Sequence, residues 1–170
     1  MFLANTGPGK GKSTAGFGQV VRTAGAGERV LFVQFMKSWE SSELVILRSI
    51  PNIEVINSED KPRDFTWGLD ETGKAALKES VQESLRKARE FIENNEVYLM
   101  VMDEVGYSIH EEYMTADDVL FFKDKVKHLY ITGHFLPDVI LKQLDYHTEM
   151  VPHKHPYYDR DILAEKGLDY

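Results

Sequence analysis

Short apolar runs alternate along the chain with longer segments in which apolar residues recur every three or four positions. The apolar runs are typical of strands that are covered on both faces of a sheet. They predict strands at residues 1–5, 29–35, 53–56, 97–102, 128–132 and 148–151. Because strands and helical segments alternate, the pattern predicts an α/β fold, a mostly parallel sheet with helices on both faces.

The segments with helical periodicity predict five helices, several of them bounded by residues suited to a helix end. Gly25 lies where the first helix should stop, Pro51 ends the second, and Thr115 caps the fourth. The predicted helices follow residue 14 and cover 41–50, 69–94, 115–122 and 136–144. The polar loop at 57–68 and the tail after 151 are predicted to be irregular.

Length and composition are those of an ordinary globular domain. With 170 residues, 42% hydrophobic and 28% charged, the chain is expected to form one domain over residues 1–170. It contains no apolar run of about eighteen residues, so no membrane span is expected. The first motif begins close to Met1, which leaves no room for a signal peptide and fits a trimmed natural start. We therefore expect a cytoplasmic protein.

Charge and cysteine content narrow the possible partners. A net charge of −8 disfavours nucleic acid, because phosphate backbones select basic surfaces. ATP remains possible, since backbone N–H groups and one lysine can supply a local positive field. The absence of cysteine excludes disulfides, thiolate zinc sites, cysteine-ligated iron–sulfur clusters and a cysteine nucleophile. His153 and His155 do not suggest zinc, because no third ligand lies near them in sequence.

Residues 6–14 have the composition and context of a phosphate loop, between a predicted strand and a predicted helix. Lys12 is expected to reach the phosphates, and the Ser13 hydroxyl is expected to bind Mg²⁺. Thr6 stands where the general pattern has glycine. A ligand-free turn would gain nothing from two lysines alternating with three glycines, so that alternative is disfavoured. The loop residues predicted to bind nucleotide are Thr6, Gly7, Pro8, Gly9, Lys10, Gly11, Lys12, Ser13 and Thr14.

A pair of carboxylates, Asp103 and Glu104, follows the most apolar strand segment. A buried carboxylate is costly without a partner, and Mg²⁺ beside a triphosphate would be one. The alternative is a pair that ends the strand in solvent. Taken with the phosphate loop, the pair indicates a P-loop NTPase-like domain whose candidate metal ligands are Ser13, Glu104 and Asp103.

These motifs, in this order, resemble those of the P-loop corrinoid adenosyltransferases, which act on cob(I)alamin and cob(I)yrinic acid a,c-diamide. The resemblance covers nearly the whole chain and includes a Val-Gln-Phe-x-Lys segment ending at Lys37 and a Phe-Thr-Trp triplet at Phe65 to Trp67. It continues through Asp103-Glu104 with Tyr107 and into the tail. The matching tail segments are residues 148–150, 154–157 and 166–170. At His134 the family pattern has arginine instead.

The resemblance implies that cobalt(I) of a corrinoid attacks the 5′ carbon of ATP and that triphosphate leaves whole, without a general base. Lys12 would stabilise the leaving group, and Lys37 and His134 would contact the nucleotide. The family pattern favours Glu104 over Asp103 as the direct Mg²⁺ ligand. Phe65 and Trp67 would form an aromatic wedge that expels the axial cobalt ligand; packing within their loop is the alternative.

The resemblance also implies a homodimer that receives electrons from a reduced flavoprotein. The residues alone leave two other functions as alternatives. One is a P-loop hydrolase or kinase that cleaves at the γ-phosphate. The other is a non-catalytic, ATP-gated corrinoid carrier, which the histidine at position 134 makes conceivable.

Overall fold

One six-stranded sheet organises the part of the chain that the computed structural model describes, residues 1–36, 41–57 and 70–169. Every strand pair in it is parallel, and the spatial order is β3-β2-β4-β5-β1-β6. The strands are β1 (Phe2–Thr6), β2 (Val30–Gln34), β3 (Ile53–Asn57), β4 (Leu99–Asp103), β5 (His128–Thr132) and β6 (Tyr146–Glu149). The predicted α/β fold with a parallel sheet is therefore confirmed.

Helices connect the strands, and two of the longer ones begin at residues that cap them. Asp70 accepts a hydrogen bond from the Gly73 N–H at 2.8 Å, and Thr115 and Asp118 form a reciprocal capping box. The helices are α1 (Lys12–Gly25), α2 (Ser42–Leu47), α3 (Glu71–Asn94), α4 (Val105–His110), α5 (Ala116–Lys123), α6 (Asp138–Leu141) and α7 (Pro156–Arg160). None of them is long and apolar enough to cross a membrane.

The core has two parts, one on each face of the sheet, because successive residues of a strand point to opposite faces. In β4, Met100 and Met102 pack in the cluster that contains Leu85 of α3. Leu99 and Val101 face the other way, into the cluster that contains Phe17 of α1. All five residues of β4 are buried, which explains why this segment is a continuous apolar run.

Differences from the predicted elements are confined to short or exposed segments. β6 covers 146–149 rather than 148–151, and its four residues are all exposed. Its position is set by parallel pairing with β1, in which Leu3 lies opposite Tyr146 and Thr6 opposite Glu149. An exposed edge strand carries no apolar pattern, so the sequence gives no register for it.

Two short helices were not predicted. α4 has six residues and starts directly after Glu104, too short to show a helical period. α7 lies in the tail that was expected to be irregular. It begins with Pro156, and the His155 ring accepts a hydrogen bond from the Tyr157 N–H at 3.3 Å. The predicted helix 136–144 contracts to the four residues of α6.

Candidate active site

The glycine-rich loop between β1 and α1 lies at the edge of the sheet where the parallel strands end. Gly7 and Gly11 have φ values of 94° and 108°, which residues with side chains rarely adopt. A Cβ on Gly11 would meet no described atom within 4 Å. The loop is therefore open at the N-terminus of α1, where the backbone N–H groups of a helix favour an anion.

The other side of the loop is closed by the segment that follows β6. A Cβ on Gly9 would lie 2.6 Å from the Met150 carbonyl oxygen, and one on Gly7 would lie 2.7 Å from the same atom. The Gly9 N–H donates to that oxygen at 2.7 Å. These two glycines are required because another segment of backbone approaches them closely.

The two lysines of the loop lie in different surroundings. The Lys12 ammonium turns back over the loop and donates to the Gly9 carbonyl at 2.8 Å. Lys10 instead contacts the tail, with an ion pair of 3.0 Å to Asp169 and a hydrogen bond to the Leu168 carbonyl. A backbone hydrogen bond from Glu165 and this contact with Lys10 lower the pKa of Asp169. The C-terminal tail therefore reaches the phosphate loop.

Thr6, the residue that departs from the general phosphate-loop pattern, is buried at the end of β1. Its hydroxyl lies 2.8 Å from Nε2 of His147 on β6. A glycine at position 6 would lack the hydroxyl that contacts this imidazole. The threonine that replaces the usual glycine is therefore paired with His147 of the neighbouring strand. Sequence reasoning gave His147 no role, since pairing of β6 with β1 could not be foreseen.

Asp103 ends β4 with its side chain fully buried. One carboxylate oxygen accepts a hydrogen bond from the Thr132 hydroxyl at 2.6 Å, and the other accepts from the Gln34 amide at 3.2 Å. The first turns of α1 lie against the same place, because a Cβ on Gly16 would sit 3.6 Å from the Thr132 methyl group. The expected carboxylate at the strand end is thus buried between β2 and β5, within the sheet edge that carries the phosphate loop.

Glu104 follows immediately and is half-buried. Its backbone is left-handed, with φ 66° and ψ 35°, and it precedes the first residue of α4. The Glu104 N–H donates to the Thr132 hydroxyl at 3.1 Å, while the Ser108 hydroxyl donates to the Glu104 carbonyl at 3.1 Å. An unusual backbone conformation held from both sides marks this residue as a candidate ligand-binding position.

His134 lies beside the phosphate loop, as expected for a nucleotide contact. Its carbonyl accepts a hydrogen bond from the Gly7 N–H at 3.0 Å. Burial, together with the positive charge of Lys12, lowers the pKa of the imidazole below its ordinary value. The ring centroid lies 6.0 Å from that of Tyr107, in an edge-on arrangement. Both effects favour the neutral imidazole, whereas the arginine of the family pattern is always charged.

A close approach of two backbones fixes the loop that carries His134. A Cβ on Gly106 would lie 2.2 Å from the Phe135 carbonyl oxygen, and one on Gly133 would lie 2.5 Å from the Gly106 nitrogen. Sequence reasoning did not find Gly106. A glycine two positions after the Asp-Glu pair was the available signal, but its contact partners lie in the segment that follows β5.

The remaining predicted residues fall into two groups. Ser13 and Thr14 lie in the first turn of α1, and Pro8 is exposed at the outside of the loop. The others lie outside the described residues and comprise Lys37, Phe65 and Trp67. The structure thus brings the phosphate loop, the carboxylate pair and His134 to one edge of the sheet.

Known proteins resemble the chain over its full length. The family model described as ATP:corrinoid adenosyltransferase BtuR/CobO/CobP matches residues 1–170. A corrinoid adenosyltransferase of Sinorhizobium sp. is 29% identical over 175 residues, 100% of this chain and 80% of the relative. Those of Escherichia coli K12 and, under the name corrinoid adenosyltransferase CobA, of Salmonella typhimurium are each 29% identical over 176 residues, 100% of this chain and 85% of the relative.

Proposed function

Since this chain belongs, over residues 1–170, to the ATP:corrinoid adenosyltransferase family BtuR/CobO/CobP, we propose that it transfers the 5′-adenosyl group of ATP to the cobalt(I) of a corrinoid. A bond forms between cobalt and the 5′ carbon, the bond from that carbon to the triphosphate oxygen breaks, and triphosphate leaves. The observation that carries the proposal is the open phosphate loop, with its left-handed Gly11 at the N-terminus of α1.

No proton moves in this step, so the protein acts by positioning and electrostatics. The N–H groups at the start of α1 hold the phosphates. Lys12, whose ammonium already lies over the loop, turns from the Gly9 carbonyl to the leaving triphosphate. Lys10 adds a second positive charge on the outside of the loop when it leaves Asp169. Lys12 offsets the charge that develops on the leaving group, and Lys10 makes a smaller contribution from the outside of the loop.

The residues at the loop fit a magnesium ion, which would shield the triphosphate. They supply the oxygen ligands that Mg²⁺ prefers, namely the Ser13 hydroxyl and carboxylates. Within the described ranges no three His, Asp or Glu side chains form a metal-binding group. Phosphate oxygens and water would therefore complete the coordination. Glu104 is proposed as the direct ligand because the family pattern favours it, and Asp103 accepts hydrogen bonds from Thr132 and Gln34.

His134 contacts the nucleotide in this proposal, and its partial burial beside Lys12 supports that place. Lys37 is proposed as a further nucleotide contact, and Phe65 and Trp67 as the wedge against the lower face of the corrin. The electron donor is a reduced flavoprotein, the enzyme works as a homodimer, and its compartment is the cytoplasm. The family pattern supports the Lys37 contact, the aromatic wedge, the flavoprotein donor and the homodimer. Lys37, Phe65 and Trp67 lie outside the described residues.

A product assay tests the proposed reaction against its alternatives. The protein is mixed with ATP, Mg²⁺ and chemically reduced cobalamin, and both the corrinoid and the phosphates are quantified. Equal amounts of adenosylated corrinoid and intact triphosphate are expected. Formation of ADP and phosphate would instead identify a hydrolase, and binding without turnover a carrier. The same mixture with oxidised cobalamin is the control, because cobalt then lacks the nucleophilic electron pair.

A further inference from the structure

Four buried side chains form a continuous chain of hydrogen bonds across the ends of three strands. The Ser41 hydroxyl donates to the Gln34 amide oxygen at 3.1 Å, and the Gln34 amide nitrogen donates to Asp103 at 3.2 Å. Thr132 donates to the second oxygen of Asp103 at 2.6 Å. None of the four is more than 3% exposed. Buried polar groups are costly when unpaired, so each member depends on the others.

The chain ends at the backbone of Glu104. Thr132 uses its hydroxyl twice, because it also accepts the hydrogen bond from the Glu104 N–H at 3.1 Å. Asp103 Oδ1 accepts the bond that Thr132 donates, so the hydroxyl proton of Thr132 points toward Asp103. The lone pairs of the hydroxyl are then left for the Glu104 N–H. The acceptor oxygen of Asp103 thus determines which way the Thr132 hydroxyl points.

The hydrogen bond to Thr132 stabilises a strained backbone, because the φ of 66° at Glu104 is unfavourable for a residue with a side chain. This angle also sets the direction in which its Cα–Cβ bond leaves the strand end. Relaxation to an ordinary conformation would therefore move the carboxylate away from its place at the edge of the sheet.

We propose that Thr132 and Asp103 are positioning residues that hold Glu104 in its left-handed conformation and so aim its carboxylate at the metal ion of the nucleotide complex. This inference rests on the proposed function. Gln34 and Ser41 extend the same support to the end of β2 and the start of α2, on either side of residues 37–40. If Thr132 and Asp103 position Glu104, their loss should weaken the binding of ATP with Mg²⁺. If their role were only structural, their loss should lower the stability of the protein alone.

The test compares Thr132→Val, which keeps the shape but removes the hydroxyl, with Thr132→Ser, which keeps the hydroxyl. Calorimetry measures binding of ATP with Mg²⁺ and of ATP in EDTA. Thr132→Val should weaken MgATP binding about tenfold, as loss of a support to a metal ligand typically does. Its binding of ATP in EDTA should be unchanged, and Thr132→Ser should restore MgATP binding.

Thr23→Val is the matched control, because Thr23 is also buried and also accepts a hydrogen bond, from Gln19, but lies in α1 away from this edge. It should lower the melting temperature without changing either binding constant. Equal losses of MgATP and ATP binding in Thr132→Val, or no loss at all, would overturn the inference. A parent protein that binds ATP under neither condition would instead refute the proposed function.

A second comparison keeps the inference testable if Thr132→Val does not fold. Asp103→Asn preserves an acceptor for Thr132, and Gln34 can rotate its amide to face the new side chain. If Asp103 positions Glu104, Asp103→Asn should weaken MgATP binding less than Glu104→Gln does. If Asp103 were itself the direct ligand, its substitution would cost as much or more, and that ranking would contradict the inference.

Discussion

The Lys12 ammonium donates to the Gly9 carbonyl of its own loop and is proposed to bind the triphosphate of ATP. The variant Lys12→Ala tests this proposed role. The adenosyl-transfer rate should fall roughly a hundred- to thousandfold, since one electrostatic contact to a developing anion is worth about 3–4 kcal/mol. The melting temperature should change little, because the Gly9 carbonyl that Lys12 contacts lies in a loop that water can reach. Stopped-flow assay of the corrinoid spectrum measures the rate.

Lys10→Ala is the control for that measurement. It removes an equal charge from the same loop, but one whose contacts are with Leu168 and Asp169 of the tail. Its effect should be clearly smaller. Near-normal transfer by Lys12→Ala, or equal losses in the two variants, would contradict the role assigned to Lys12.

If His134 contacts the triphosphate, as proposed, ATP binding should depend on pH. In the free protein, burial and Lys12 hold its pKa below the ordinary 6.5. An adjacent triphosphate favours the protonated ring and raises that pKa, so binding takes up a proton. ATP affinity should therefore increase as the pH falls through the pKa of the complex, and level off below the pKa of the free protein. Calorimetry in two buffers with different ionisation enthalpies measures the proton uptake.

The nucleotide itself titrates in this range, so His134→Gln serves as the reference. That variant keeps a polar side chain but cannot gain charge. The difference between the pH profiles of ATP binding by the parent protein and by His134→Gln is then due to protonation of the imidazole. Identical profiles and identical proton uptake would show that His134 does not contact the triphosphate.

Between elements, the contact of α4 with the end of β5 depends on having no side chain at Gly106. Gly106→Ala places a methyl group 2.2 Å from the Phe135 carbonyl oxygen, which requires the backbone to move. We expect a loss of about 1–3 kcal/mol in the free energy of unfolding. Denaturant titration measures it.

Gly18→Ala is the matched control, because Gly18 is also helical but a Cβ there would meet nothing within 4 Å among the described atoms. That substitution should stabilise the protein by about 0.5–1 kcal/mol, through the lower flexibility of alanine. Similar effects of the two substitutions would mean that the close approach of the backbones has no energetic consequence.

An element could be predicted from sequence when its own residues supply the interactions that stabilise it. β2 and β4 are buried on both faces, so their composition alone identifies them. β6 is held by backbone pairing with β1 and has exposed side chains, so nothing in its own residues fixes its register. α4 is likewise determined by its contact with the end of β5. The pattern of apolar residues therefore predicts the elements that are stabilised by burial of their own side chains, and it does not predict those that are set by contacts with distant segments.

Across the whole molecule, the same distinction separates the parts of the site. The phosphate loop and the Asp103-Glu104 pair could be predicted, because each is a local motif with a chemical reason for its residues. The contacts of Thr132, Gln34 and His147 could not. They depend on the strand order, which places β5 between β4 and β1 and pairs β6 with β1. The local motifs identify the candidate site residues, and the strand order determines which residues contact them.

The reaction as a whole needs cobalt(I), and Phe65 and Trp67 are predicted to make its formation possible. If they expel the axial ligand, the defect of the double variant Phe65→Ala/Trp67→Ala depends on the electron source. With cobalt(I) prepared by a strong chemical reductant, transfer should proceed at nearly the parent rate. With cob(II)alamin and a flavoprotein donor it should nearly stop, since each ~59 mV of lost one-electron potential reduces the reducible fraction about tenfold.

Electron paramagnetic resonance separates this role from packing within the loop. If the aromatic side chains exclude both the axial ligand and water, cob(II)alamin bound to the parent protein with ATP should give a four-coordinate signal. The double variant should give a five-coordinate signal under the same conditions. A packing role predicts something different: reduced stability, the same coordination in both proteins, and equal rate losses with either electron source. Equal losses would therefore leave Phe65 and Trp67 as structural residues and require another means of lowering the barrier to cobalt reduction.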